Sequence, residues 1–219
     1  MEELVKTDVR SEHFCRTIRF IGYEIVQGDI VEFGVYTGRS LAILSHYNNE
    51  FKKDPIHGKM CPDRKVFGID SFQGLAANEH IRWPEGIFRI NHSKNPVIEI
   101  GENVSPESVK KLFTHCNLES PIIIESYFSN IDSNIFSKIA LVHIDCDLYE
   151  STLDALNLVK DKLQNGTIIL FDDWFNFKGD KNQGEQKAFY EFLDKNPNIT
   201  AIPYHAYATF CNSFIISIP

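Results

Sequence analysis

The chain is short of several things, and each shortage removes a class of protein. Its five cysteines, Cys15, Cys61, Cys116, Cys146 and Cys211, are odd in number and never form a C-x-x-C pair, which argues for reduced thiols and against a disulfide framework. His57 and Cys61 sit close enough for half of a zinc site, but no second pair completes the four ligands of a structural one. Basic residues are outnumbered, 22 against 30 acids for a formal charge of -8, with no dense Lys/Arg stripe, so a nucleic-acid partner held by phosphate neutralisation is disfavoured. No apolar run approaches the roughly 20 residues that span a bilayer. Met1-Glu-Glu-Leu-Val-Lys is too acidic and polar for a secretory signal. The expectation is a cytoplasmic protein that engages neither nucleic acid nor membrane. Repeats and low-complexity tracts are absent too.

What remains is 219 residues, 43% hydrophobic and 24% charged, enough for one domain with a full core. Residues 11–27 carry Phe14, Ile18, Ile21 and Ile25 at helical spacing, so residues 1–27 read as an N-terminal helical segment packed on the domain or on a second subunit of a homo-oligomer. Five short apolar runs follow as strands: Ile30–Val35, Lys65–Asp70, Pro121–Glu125, Ile139–Ile144 and Thr167–Phe171. Helices are predicted over Leu41–Tyr47, from an N-cap at Ser105 to His115, over Tyr149–Leu163 and over Gln186–Leu193. Ile199–Pro203 and Ser213–Ile218 close the chain as an antiparallel hairpin. Strands alternating with helices predict an α/β fold, a mostly parallel seven-stranded sheet with helices on both faces. From Ser71 to Val104 no period survives Gly74, Trp83, Pro84, Gly86 and Pro96. A stretch of this length, 71–104, is expected to be a lid or substrate loop, and its His80 and His92 are placed to touch a ligand.

Acidic residues recur where the strands end: Glu32, Asp70, Glu125, Asp145 and Asp172. Parallel sheets bind ligands outside the carboxyl ends of their strands. The densest acids are Asp145 and Asp147 in one block, Asp172 and Asp173 in the other. If those strands are neighbours, four carboxylates share one volume and repel unless something positive joins them. A hard divalent cation such as Mg²⁺ answers that need and leaves coordination positions for substrate oxygens. Taken singly, Asp147, Asp172 and Asp173 could equally be helix caps. After the first strand, Gly34 and Gly38 lie four apart, short of a G-x-G-x-x-G dinucleotide motif. Gly34 lets backbone approach a ligand, Gly38 opens the turn, Glu32 offers acceptors to an ammonium group, and Asp70 stands where an acid holds ribose hydroxyls.

Four motifs in order, Glu32-Phe-Gly-Val-Tyr-Thr-Gly-Arg-Ser40, Phe67-Gly-Ile-Asp-Ser-Phe-Gln-Gly-Leu75, His143-Ile-Asp-Cys-Asp-Leu-Tyr-Glu-Ser-Thr152 and Phe171-Asp-Asp-Trp174, resemble the macrocin O-methyltransferase family over residues 29–195. The resemblance implies a Rossmann-like class I methyltransferase domain spanning 1–219, with S-adenosylmethionine and Mg²⁺ as cofactors. It implies Asp145, Asp172 and Asp173 as metal ligands and Asp147 as the base. It also implies that Glu32, Gly34, Thr37, Gly38, Ser40, Asp70 and Ser71 line the cofactor site with Tyr127 and Phe128. Where the family has Gly-Trp-Phe near the adenine, this chain has Ser126-Tyr-Phe128, and its Asp-Asp-Trp174 replaces Asp-Asp-Tyr. The implied acceptor is a small-molecule glycoside or sugar with a vicinal diol, in a natural product or glycan.

The chemistry is coherent. A sugar hydroxyl is a poor nucleophile at neutral pH, and a metal lowers its pKa and fixes its position. Asp147, with a reference pKa of about 3.9, then only receives a proton. His143 titrates nearer neutrality but falls two residues before Asp145, on the same face and deeper in the sheet, and reads as structural. Trp83, Phe88, Trp174 and Phe175 are candidates for an acceptor pocket or for the core. Two rivals stay open: an iron hydroxylase or oxygenase on the same fold, and a non-catalytic cofactor-binding subunit.

Overall fold

The computed structural model describes residues 1–77 and 84–219. His80 and Trp83 lie outside the described residues. Among the described residues there are seven strands: β1 Asp29–Phe33, β2 Val66–Asp70, β3 Ile122–Glu125, β4 Ile139–Ile144, β5 Ile168–Phe171, β6 Thr200–Tyr207 and β7 Cys211–Ser217. They form one sheet in the order β3-β2-β1-β4-β5-β7-β6. The first five pair in parallel, and β7 runs antiparallel between β5 and β6. This is the expected α/β architecture with its antiparallel terminal hairpin. The helices are α1 Glu2–Thr7, α2 Ser11–Tyr23, α3 Arg39–Lys52, α4 Pro106–His115, α5 Tyr149–Val159 and α6 Gly184–Lys195.

Strand alternation divides the core into two layers. Ile30, Leu141, Ile168 and Leu170 face Phe14, Ile18 and Ile21 of α2, Leu41 and Leu44 of α3, and Val109, Leu112 and Phe113 of α4. Val31, Phe33, Val142, Ile144, Ile169 and Phe171 face Ala155, Leu156 and Val159 of α5 and Phe189 and Phe192 of α6. Both faces are therefore covered, which is why the inner strands read as unbroken apolar runs. Because β1 lies between β2 and β4, and β4 beside β5, the carboxyl ends of four strands open onto one rim.

Local chemistry explains the boundaries. Ser105 caps α4 in a reciprocal box with Ser108: each hydroxyl accepts the other's backbone N–H, at 3.2 and 3.0 Å, and Pro106 opens the helix. The helix α2 stops at Tyr23 rather than running on to residue 27. There Ile25 turns left-handed at φ 52°, and the Arg64 guanidinium donates to the carbonyls of Ile21 and Gly28. Two features escaped the sequence pattern: α1, which is too short to show a period, and the extension of β6 to Tyr207. Pro203 ends the apolar run, yet on an edge strand its missing donor faces outward and is tolerated. Within residues 84–104 the chain is tied by backbone bonds and by buried Asn91, whose amide donates to the carbonyls of Ile98 and Glu99 at 3.2 Å each. Among the described residues no helix is long and apolar enough to cross a membrane.

His13 of α2 is buried against the hairpin, its Nε2 3.0 Å from Ser213 Oγ and its ring stacked 4.0 Å from Tyr207. Burial, aided by the His205 and Arg16 charges, lowers its pKa to about 4. The unfolded chain therefore binds this proton first, so the stability that neutral His13 supplies is complete above about pH 6.5 and is lost as pH falls toward 4. His13→Phe keeps the stack and removes the titration. The urea midpoint should fall less between pH 7 and pH 5 in this variant than in the wild type; equal falls would remove His13 as the cause.

Candidate active site

The turn after β1 is built on backbone that only small residues permit. Gly34 has φ 83°, and a Cβ there would overlap the carbonyl oxygen of Asp145. Gly38, at φ 81°, caps α3, and a Cβ there would meet Val109 Cγ1 at 2.7 Å. Asp70 at the end of β2 fastens the turn. Its Oδ2 accepts from the N–H groups of Val35 (2.8 Å) and Tyr36 (2.9 Å), and its Oδ1 from Phe72 N–H (2.7 Å). Each oxygen of a carboxylate accepts about two bonds, so Oδ1 retains capacity for a ligand. The Tyr36 hydroxyl donates to the Ile90 carbonyl (3.1 Å) and accepts from His92 N–H (2.7 Å), joining the turn to the 71–104 segment.

Beside this turn lies a cavity of about 320 Å³. Gly34, Tyr36, Asp70, Ser71, Leu75, Phe88, Tyr127 and Phe128 line one part, and Asp145, Cys146 and Asp147 another. Five of the residues expected at the cofactor are thus on its wall: Gly34, Asp70, Ser71, Tyr127 and Phe128. Gly38, Thr37, Ser40 and Glu32 are not among the residues that line it. Glu32 is fully buried, its Oε1 accepting from Ser40 Oγ at 3.0 Å and its Oε2 2.8 Å from His143 Nδ1. It bridges Ser40 of α3 and His143 of β4. Glu125 ends β3 exposed to solvent. Trp174 is core, enclosed by Phe171, Phe189 and Phe214, whereas Phe88 reaches the cavity and packs on Tyr36 at 5.3 Å.

The acids meet as the topology requires. Ile144 of β4 is registered with Phe171 of β5, so Asp145 and Asp172 emerge side by side. Between them stands Arg10, which precedes α2. Its Nη1 donates to Asp145 Oδ2 (3.1 Å) and Asp172 Oδ1 (2.9 Å), while Nε and Nη2 hold both oxygens of Asp8 at 3.0 Å. His143 Nε2 lies 3.6 Å from Asp172 Oδ1, an ion-pair distance beyond a hydrogen bond. Ligand atoms of His143, Asp145 and Asp172 fall within 4.8 Å of one another. Asp173 turns aside: it accepts from Asn176 Nδ2 at 2.6 Å. Asp147 sits at φ 59° in the left-handed region, a strained position for a residue with a Cβ.

The charges balance by mutual adjustment. Burial favours a neutral Asp172, but the Arg10 guanidinium and His143 outweigh it and hold Asp172 well below the usual carboxylate range. Burial, then the Asp172 charge, pushes Asp145 well up. Burial, then Asp147, does the same to Asp173. Burial would lower His143, yet the Asp172 and Glu32 carboxylates reverse that and raise it to about 10. A fifth acid adjoins the group: Glu185 of α6, buried and pushed well up by burial and by Asp173, accepts from Asp173 N–H at 2.9 Å. In the sequence Glu185 looks like any first-turn helix acid, and Arg10 like any basic residue of a polar terminus, so neither gave a signal.

The residues fit a divalent cation. Two carboxylate oxygens from different strands converge on one cationic nitrogen, Arg10 Nη1, which stands where an ion would sit, and the donors are hard oxygens. The buried His143 Nε2 has no hydrogen-bond partner among the described residues.

The model of the macrocin O-methyltransferase family (TylF) matches residues 6–199. The chain belongs to this family. It is 26% identical over 152 residues to the demethyldecarbamoylnovobiocin O-methyltransferase of Streptomyces niveus, covering 68% of this chain and 53% of that one. It is 29% identical over 155 residues to the 8-demethyl-8-(2,3-dimethoxy-alpha-L-rhamnosyl)-tetracenomycin-C 4'-O-methyltransferase of Streptomyces olivaceus, covering 68% and 54%. The chain thus spans about half the length of the curated relatives it matches. Among solved structures, the O-methyltransferase NovP superposes with a TM-score of 0.71 at 20% identity, over 95% of this chain and 79% of that one. The calicheamicin methyltransferase CalS11 does so at 0.62 and 20%, over 94% and 77%. These likenesses fix the fold as the methyltransferase fold of the family.

Two glycine substitutions separate backbone strain from close contact. Gly101→Ala, at φ 90° with open space around it, should cost about 1–2 kcal/mol of conformational strain. Gly34→Ala adds an overlap with the Asp145 carbonyl and should cost roughly 1–3 kcal/mol more. Urea unfolding measures both, and equal losses would deny the close approach of β1 to β4.

Proposed function

We propose that this chain is an S-adenosylmethionine-dependent, Mg²⁺-dependent O-methyltransferase acting on a hydroxyl of a vicinal diol, in a sugar of a natural product or a glycan. One observation carries the reading: a single cavity is walled both by the Asp70-fastened glycine turn and by the Asp145–Asp147 cluster. Family membership and the activities printed in the names of the two Streptomyces relatives support it.

In this reading Asp70 receives ribose hydroxyls, and Tyr127 and Phe128 offer faces to the adenine. Asp145, Asp172 and Asp173 would hold the cation. The cation, when bound, supplies orientation and acidification of an acceptor hydroxyl. Asp147 lines the cavity and would receive the hydroxyl proton as the oxygen takes the methyl group and the sulfonium leaves as S-adenosylhomocysteine. The described part of the 71–104 stretch would act as the substrate loop: Leu75 and Phe88 line the cavity, and Tyr36 is hydrogen-bonded to Ile90 and His92.

Asp172→Asn should abolish Mg²⁺-stimulated methyl transfer to a diol glycoside while S-adenosylhomocysteine affinity stays within about threefold, since its contact is to the cation and not the cofactor. Asp70→Ala should weaken S-adenosylhomocysteine binding roughly tenfold or more, the equivalent of about 1.4 kcal/mol. Calorimetry and a methyl-transfer assay over glycosides read both. Full activity in Asp172→Asn, or oxygen consumption in place of methyl transfer, overturns the assignment.

A further inference from the structure

Arg10 occupies the position that the acids offer to a cation, and it does so from outside the sheet. Four of its five N–H donors are engaged: Nε and Nη2 hold Asp8, and Nη1 bridges Asp145 and Asp172. The segment that delivers it is fastened in turn to α3, where Arg39 Nε donates to Asp8 Oδ2 (3.1 Å) and Arg39 Nη2 to the Leu4 carbonyl (3.1 Å). Leu4 is buried in the core and the Arg10 guanidinium lies 5.5 Å from the centre of the Phe14 ring. A tethered cation has thus been brought to the mouth of the cluster on a strap whose other anchor adjoins the glycine turn.

Two positive charges cannot share this place. An ion bound to Asp145 Oδ2 and Asp172 Oδ1 would lie a few ångströms or less from Nη1, and at that range repulsion of a divalent charge is worth several kcal/mol even at an effective dielectric constant of about 20. We infer that Arg10 and a divalent cation are alternative occupants of one site, so that loading the metal expels the guanidinium and loosens residues 1–10. This rests on the cation site proposed above and adds its regulation: the strap closes the site when metal is scarce. By linkage, whatever strengthens strap docking weakens metal binding by the same factor. The apparent metal affinity of the wild-type chain is reduced by the fraction of molecules with the strap closed.

The test is Mg²⁺ titration calorimetry on the wild-type chain and on Arg10→Met, which keeps the aliphatic stem and removes the charge. It is paired with hydrogen–deuterium exchange on the wild type. The variant should bind Mg²⁺ roughly tenfold more tightly or better. Saturating Mg²⁺ should speed exchange in peptides from residues 1–16 of the wild type. Should the variant fail to fold, the exchange measurement decides alone. Equal Mg²⁺ affinity in the two proteins, or unchanged or slower exchange in 1–16 at saturation, overturns the competition while leaving the cation site intact. Absence of Mg²⁺ binding in both overturns the cation site and the competition together.

Discussion

Four carboxylates gathered in one half-buried volume are the constraint on which the site depends. The fold meets it twice over, by different means. Asp145 and Asp172 are bridged by the Arg10 guanidinium, and burial together with the Asp147 charge pushes Asp173 well above the usual carboxylate range. His143 and Glu32 extend the arrangement inward, so that acidic and basic groups alternate from Asp172 through His143 and Glu32 to the Ser40 hydroxyl of α3. Removing one member of such a chain leaves a buried charge without its partner, which costs more than the intact pair contributes. The positive groups are therefore as much a part of the site as the acids.

Much of this was legible in the sequence because strand ends are. An apolar run of four to six residues closed by an acid is a local pattern, and the parallel pairing of β4 and β5 brought Asp145 beside Asp172 without further assumption. Burial of His143 followed from its place two residues inside the strand. What could not be read was long-range. Arg10 reaches Asp145 across 135 positions of sequence, and nothing in Asp8-Val-Arg10 marks it apart from other charged termini. The partners of Glu32 were equally long-range: alternation along β1 turns its side chain to the α3 face, where it meets Ser40 and His143.

Aromatic residues show the same split between local and tertiary information. Trp174 follows two site aspartates directly, yet one step along the chain carries its side chain out of the cavity and into the layer under α6. Phe88 sits in a stretch without periodicity, and its ring contact with Tyr36 holds it at the cavity. Residue type gives what a side chain can do; backbone direction decides where it does it.

The missing side chain of Gly34 has a mechanical corollary. Main chain touches main chain there, with no flexible group between to absorb a shift, and Asp145 N–H further bonds the Phe33 carbonyl at 2.9 Å. The two halves of the cavity floor are in effect one rigid plate. The span from the glycine turn to the start of the acidic cluster is thereby set by main-chain contact alone, independent of any side-chain rotamer.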